Sequence, residues 1–442
     1  MFPSPSHVNY LRNIAIFCGI VITSISITLF AFNLIKSNGY ITAVGVNVGA
    51  DFLAFYTGGT FYNQCILEHI YNLTPEFRFS EQLAYQQNLI GEDFKGHNPF
   101  LNPPFTAVFY APLAKLPYLP AFILWQVLNF GLLICSVIMA RRELISLQAL
   151  PTYQLVGCCF LFYPTFGWVL YGQATPIILL LYCLFFFALR KGKDFRAGFY
   201  LGLLAFKPQL TILIVLVLLF KWRWKSLMGG SISLCISVLI GFILVPEAMQ
   251  KYIEVSPRFL DFLRLPNYPT WGIHSFFGFS SLLFDELSPQ ITNIVIYILS
   301  GGTILLLWLL WKNIRWQENQ KIWDIAMAIT FIWGLLISPH LFFYDLMLLL
   351  LPAAIVFNFL PWLIKLDPQI PLWIILTCIV CFIGKFHISL TNSFAEQFDL
   401  PKTYLQITTP IIFYMGYRLY CLARQISKSN QAVENISKPE LS

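Results

Sequence analysis

One aspartate, Asp51, stands in the stretch GADFLAFYTGG, residues 49–59, just past the end of a long apolar run. A lone positioned carboxylate can take the proton of a hydroxyl, which has a high pKa and benefits from a nearby base. It can also simply cap the helix that starts at Phe52. Further polar residues recur along an otherwise apolar chain. They are Asn98 before Pro99, Asn102 before Pro103-Pro104, Gln173 in the turn YGQ, Lys207 before Pro208, His274 in NYPTWGIHS, and His340 in SPHLFFYDLMLLL. Tyr344 follows His340 by one helical turn, with Asp345 beside it, and Tyr56 follows Asp51. The asparagine-proline elements are good helix starts, and Gln173 could cap a turn. Asp345 and Lys207 are harder to assign to packing, because ionisable groups within apolar spans are usually paired or functional.

The chain that must position these groups has 442 residues, 57% hydrophobic, 17% aromatic and 11% charged. Soluble domains carry roughly 25% charged residues, so this chain cannot cover itself for water. Several stretches are long enough to cross about 30 Å of hydrocarbon, where only helices satisfy the backbone of an open chain. The composition therefore predicts an all-α polytopic membrane protein. Its net charge of +7 marks cytoplasmic loops rather than nucleic-acid binding. The ten cysteines lie mostly inside apolar runs and read as packing residues, without disulfide or zinc spacing.

Basic clusters set the expected topology. Arg141-Arg142, RKGKDFR (190–196), KWRWK (221–225), Lys312 to Lys321, Lys365 and the tail from Arg418 belong on the cytoplasmic side. The segment 37–102 carries six acids, Asp51, Glu68, Glu76, Glu81, Glu92 and Asp93, against Arg78 and Lys95, and belongs outside. The pattern gives about ten crossings, or 10–12 segments with two short buried helices. One of these is 104–114; the other is a hairpin over 196–220 broken at Lys207–Pro208. Amphipathic surface helices are expected near 51–67 and 80–90, and an ordered outer loop over 247–289 containing Pro266, Pro269 and Trp271. Residues 1–422 read as one transmembrane domain and 423–442 as a polar cytoplasmic tail, disordered over its last 15 or so residues. In this topology Asp51, Asn98, Asn102, Gln173, His274 and His340 converge on the outer face of a cell (plasma) membrane.

DFLAFYTGGTFYNQC, NPPFTAVFYAPLAKLP, YGQATPIILLL, AGFYLGLLAFKPQL and SPHLFFYDLMLLLLP occur in that order over residues 45–352. As an ordered set they resemble glycosyltransferase family 87, within the C-type superfamily of multi-span glycosyltransferases that use polyprenyl-phosphate sugars. The resemblance implies a C-type glycosyltransferase fold and an outer-face active site with an acidic base in the first outer loop; Asp51 is the matching residue. Where the family often has a tyrosine before the paired prolines, this chain has Asn102. The implied reaction moves a sugar, mannose by family habit, from a polyprenyl-phosphate donor to a hydroxyl of a lipid or glycan acceptor, with inversion.

The chemistry agrees with a single carboxylate. A departing phosphate ester is already a good leaving group and wants a cation or hydrogen-bond donors. His274, His340, Lys207, Gln173 and Arg264 are candidates for the donor, with the histidines preferred for side and depth. Asn102, Tyr56, Tyr344 and Asp345 are candidates for the acceptor or pocket. Asp51 lacks the D-x-D pattern of metal-dependent transferases, so no metal and no other cofactor is expected. A transporter or lipid flippase would instead show matched broken helices and an internal repeat. Lys207-Pro208 is one such break, and the sequence has no counterpart to it.

Overall fold

Backbone polar groups in a chain this apolar are satisfied within helices, and helices make up the molecule. The computed structural model describes the chain from Phe17 to Ser437, apart from residues 18–19, 22–23, 29, 43–46, 75–78, 92–93, 95–97, 266–267 and 398–404. For 385–396 and 428–437 it describes the backbone alone. Glu76, Arg78, Glu92, Asp93, Lys95, Pro266, the start of the first expected span and residues 438–442 lie outside the described residues.

In chain order from Ala50 onward, the α-helices of seven or more residues are α1 (Ala50–Asn63), α2 (Ser80–Ile90), α3 (Tyr118–Glu143), α4 (Thr152–Phe160), α5 (Tyr163–Tyr171), α6 (Thr175–Arg190), α7 (Asp194–Gly202), α8 (Ile212–Phe220) and α9 (Trp224–Leu244). There follow α10 (Pro246–Val255), α11 (Phe276–Phe284), α12 (Pro289–Lys312), α13 (Gln320–Ile337), α14 (Leu350–Asn358), α15 (Leu360–Leu366), α16 (Ile370–Gln397) and α17 (Thr408–Ser437). Among the described residues no strand forms. An isolated bridge joins Ile273 to Phe342, reinforced by His274 N donating to Leu341 O at 2.7 Å.

The all-α membrane architecture expected from composition is what forms. Among the described residues four helices, α3, α9, α12 and α13, are long and apolar enough to cross a membrane; two bent pairs raise this to six. Three more apolar helices, Ser24–Ile35, α6 and Ile370–Gly384, are shorter than a straight span. α13 is the central one, with every residue from Ile322 to Leu336 buried. α9 and α12 turn most of their apolar side chains outward, as lipid-facing helices do. α7 packs closely on α9: a Cβ at Gly198 would lie 1.7 Å from Ser226 O, and one at Gly229 2.1 Å from Phe195 O. Small residues at membrane-helix crossings permit this approach.

The breaks decide where the site is. The hairpin expected over 196–220 does part at Lys207, which leaves helical geometry (φ −137, ψ 63) because the following Pro208 excludes it. The crossing expected as one helix over 153–170 is instead α4 and α5 at 80°, and Phe343–Asn358 meets α15 at 73°. Within the second pair, residues Phe343–Leu349 are a 3₁₀ segment. Non-helical backbone at such depth is tolerated where it is packed in protein or lines a cavity.

Three further expectations change. α1 is not an amphipathic surface helix: Phe52 through Gly59 are all buried, so it is an interior helix walled by α3 and the 104–115 turns. α2 does keep one buried face, and that face is polar, Gln82 and Gln86 one turn apart. α17 runs as helical backbone to Ser437, into the stretch expected to be a disordered tail.

Candidate active site

Two glycines in the left-handed region place the first two groups. Gly49 (φ 61) precedes α1 and Gly172 (φ 69) ends α5, and both press on the same ring. A Cβ at Gly49 would lie 2.5 Å from Phe122, and one at Gly172 would lie 2.7 Å from Phe52 Cβ and 3.0 Å from Phe122. Only glycine combines positive φ with no side chain. α3 supplies the wall, from positions 118, 122 and 125 on one helical face. Tyr118 Oη donates to Val48 O at 2.6 Å, and Trp125 Nε1 donates to Gly172 O at 2.7 Å. Asp51 and Gln173, remote in sequence, are thus fixed on neighbouring backbone.

Gln173 Nε2 donates to Asp51 Oδ2 at 3.0 Å and to Tyr344 Oη at 3.1 Å, and the Tyr344 hydroxyl also hydrogen-bonds Asp51. The Lys207 ammonium donates to Asp345 Oδ1 at 3.0 Å and lies 5.7 Å from the Tyr344 ring centre, within cation–π range. Thr175 Oγ1 donates to the same Asp345 oxygen at 3.2 Å. His340 Nε2 and the Tyr268 hydroxyl are 2.9 Å apart.

Asp51, Gln173, Lys207, Tyr268, His340 and Tyr344 face one cavity of about 1050 Å³. Among the described residues lining it, Asp51 is the one carboxylate, Lys207 the one cation and His340 the one imidazole. Tyr344, Tyr171, Tyr268, Gln173, Asn98 and Asn102 are among its further polar lining residues, and Phe206, Ile212, Phe259, Leu260, Phe262 and Leu263 are among its apolar ones. Burial raises the Asp51 carboxyl to about 6, against the opposing effect of its bonds from Gln173 and Tyr344 and of the Lys207 charge. Burial, aided by the Lys207 charge, lowers His340 to about 4, so its ring is neutral at pH 7. Among the described residues no three His, Cys, Asp or Glu side chains converge in a metal-holding group.

The structure brings together Asp51, Gln173, Lys207, His340, Tyr344 and Asn102 and redirects the others. His274 is fully buried behind the cavity, 3.3 Å from a Cβ built at Gly384 of α16, and does not line it. Of the two histidines preferred for the donor phosphate, His340 lines the cavity and His274 does not. Asp345 is fully buried beneath Lys207 and does not reach the cavity. Tyr56 is buried as well, its hydroxyl donating to Leu116 O at 2.9 Å. Arg264 turns to Asn293 Oδ1 at 2.5 Å.

Sequence reasoning missed the two glutamines of α2. Gln82 donates to Ile70 O at 2.6 Å and accepts from Phe100 N at 2.7 Å, while Gln86 donates to Asn98 O at 2.8 Å and accepts from Asn98 N at 3.2 Å. Side-chain amides here replace the missing strand partner of residues 98–100, which border the cavity. Their i, i+4 spacing was the available signal. Gln86→Leu strips both backbone bonds of Asn98, and unsatisfied buried groups cost about 1–3 kcal/mol each. The expected result is a lower thermal midpoint with a raised KM, read by thermal unfolding and initial rates.

A profile of glycosyltransferase family 87 matches residues 100–339, more than half of the chain. The chain belongs to glycosyltransferase family 87. With its apolar helices it is a membrane glycosyltransferase. No curated protein and no solved structure matches it. The family match spans Asn102, Gln173 and Lys207; Asp51, His340 and Tyr344 lie outside it and join the same cavity only through the fold.

Proposed function

We propose that this glycosyltransferase moves a sugar, mannose in the first instance, from a polyprenyl-phosphate donor to an acceptor hydroxyl, with Asp51 as general base. The carrying observation is the cavity that faces one carboxylate and one cation, Asp51 and Lys207, with Tyr344 between them. The acceptor oxygen attacks the anomeric carbon from the side away from the phosphate. Its proton passes to an Asp51 oxygen as the carbon–oxygen bond to phosphate breaks, and the electron pair leaves on the phosphate. Attack from the opposite side inverts the anomeric centre. Charge grows on the departing phosphate, where Lys207 and a neutral His340 N–H can meet it.

A lipid-linked donor is supported by the apolar part of the lining, in which Ile212 and Leu260 are also 44% and 55% exposed. The short segment 104–114 does not line the cavity. An extracytoplasmic site is supported by the helices themselves. α6 begins two residues after Gln173 of the cavity wall and ends at Arg190, which pairs with Asp324; α3 begins at Tyr118, bonded to Val48 O near Asp51, and ends at Glu143, which bonds Lys191. The 26 residues of α3 span about 39 Å, so the basic clusters sit a membrane thickness from the site and favour the cytoplasmic side.

Purified protein, labelled polyprenyl-phosphate mannose and a lipid extract test the reading. Label should enter a new lipid product with the wild type and not with Asp51→Asn, and the product linkage should be of opposite anomeric configuration to the donor. Transfer from a nucleotide sugar alone, or undiminished transfer by Asp51→Asn, would remove the donor or the base respectively.

A further inference from the structure

We propose that Gln173, Thr175, Tyr344 and Asp345 form a bracket that sets the separation between the Asp51 carboxylate and the Lys207 ammonium. The inference rests on reading those two groups as base and phosphate cation. Two pairs of nearby residues meet side to side. Gln173 bonds Tyr344 at 3.1 Å and Thr175 bonds Asp345 at 3.2 Å, making two rungs between the α5–α6 turn and the 3₁₀ segment. Each rung ends on one functional group, Gln173 on Asp51 at 3.0 Å and Asp345 on Lys207 at 3.0 Å. Ala174 N donates to Gln173 Oε1 at 3.1 Å, which fixes the amide so that its NH₂ faces the base.

The 3₁₀ geometry matters because successive side chains point about 120° apart, at three residues per turn. Tyr344 and Asp345 therefore serve two targets from one rigid step. An α-helix at this place would turn the second side chain by a different angle. Asp345 does not line the cavity, so it acts through Lys207 and is a positioning residue. Displacement at a sugar carbon needs the incoming and leaving oxygens on opposite sides. A shift of about 1 Å between the groups that serve them can lower the rate about a hundredfold.

The test has two arms on the full chain in detergent. The first is an infrared titration of the Asp51 carboxyl, recognised by its loss in Asp51→Asn. The titratable and charged groups facing Asp51 are Lys207, Asp345, Tyr344, Tyr171, Tyr268 and Tyr118. Tyr344→Phe removes a donor to the ionised form, so the midpoint should rise by about one pH unit. An unchanged midpoint in a folded variant overturns the bracket. The second arm is binding of polyprenyl phosphate as probe to Lys207→Gln, Asp345→Asn and the double variant. Each single change should weaken binding about tenfold, and the double should be no weaker than Lys207→Gln, the coupling expected of one unit. Additive losses, or full binding by Asp345→Asn, overturn it. Thr175→Val, which removes one bond without baring a charge, replaces Asp345→Asn if that variant does not fold, with the same coupling expected. Full binding by Lys207→Gln would remove Lys207's phosphate role, while the infrared arm would still decide the bracket.

Discussion

Transfer activity should rise through about pH 6 and vanish below it, and Asp51→Asn should remove the rise together with all but a residue of the rate. Asp51 works as a base only when ionised. Its carboxyl is held near 6 by burial, so acid protonates it and stops proton removal. A positioned base contributes roughly 10²–10⁴-fold, and the variant should lose a factor in that range. The stability sign is opposite. A carboxyl whose folded pKa is raised above its unfolded value favours folding in its protonated state, so the wild type gains stability as pH falls from above 6 towards the unfolded value near 4. Asp51→Asn lacks the buried charge and should keep its thermal midpoint at pH 7, so lost rate cannot be ascribed to lost fold. A pH–rate series and matched melting curves decide this; a rate unchanged between pH 5 and 7 would remove Asp51 as the base.

Gly172→Ala should unfold the site and Gly192→Ala should not, although both glycines have φ 69. At Gly172 the added methyl meets Phe52 Cβ at 2.7 Å and Phe122 at 3.0 Å, whereas at Gly192 nothing lies within 4 Å. Backbone strain alone costs about 1 kcal/mol, and overpacking against the Phe52 Cβ and the Phe122 ring adds roughly 1–3 kcal/mol. Gln173, the next residue, would shift from Asp51. The Gly172 variant should thus lose about 2–4 kcal/mol of stability together with most of its transfer rate. The Gly192 variant should keep the rate. Melting midpoints and initial rates of the pair separate crowding from backbone strain, and equal losses would contradict the packing described at Phe122.

Composition and spacing by themselves determined that this chain is an all-α membrane protein, that Lys207–Pro208 breaks a helix, and that Asp51, Gln173 and His340 are worth comparing. Those conclusions rest on local rules: apolar run length, the geometry forced before proline, and the rarity of charge in hydrocarbon. The motif order also carried the family. Tertiary structure alone decided which polar residues meet. His340 and His274 look alike in sequence, yet the first faces the cavity and the second packs beside Gly384, although the Ile273–Phe342 bridge joins their segments. Asp345 and Tyr344 are neighbours in sequence but only Tyr344 reaches the cavity, since a 3₁₀ step separates their directions. The interior place of α1 was hidden for a similar reason. Its apolar residues surround the helix, and a helix apolar all round can be buried by lipid or by protein; the contacts of Phe52 with Tyr118, Phe122 and Trp125 are what chose protein.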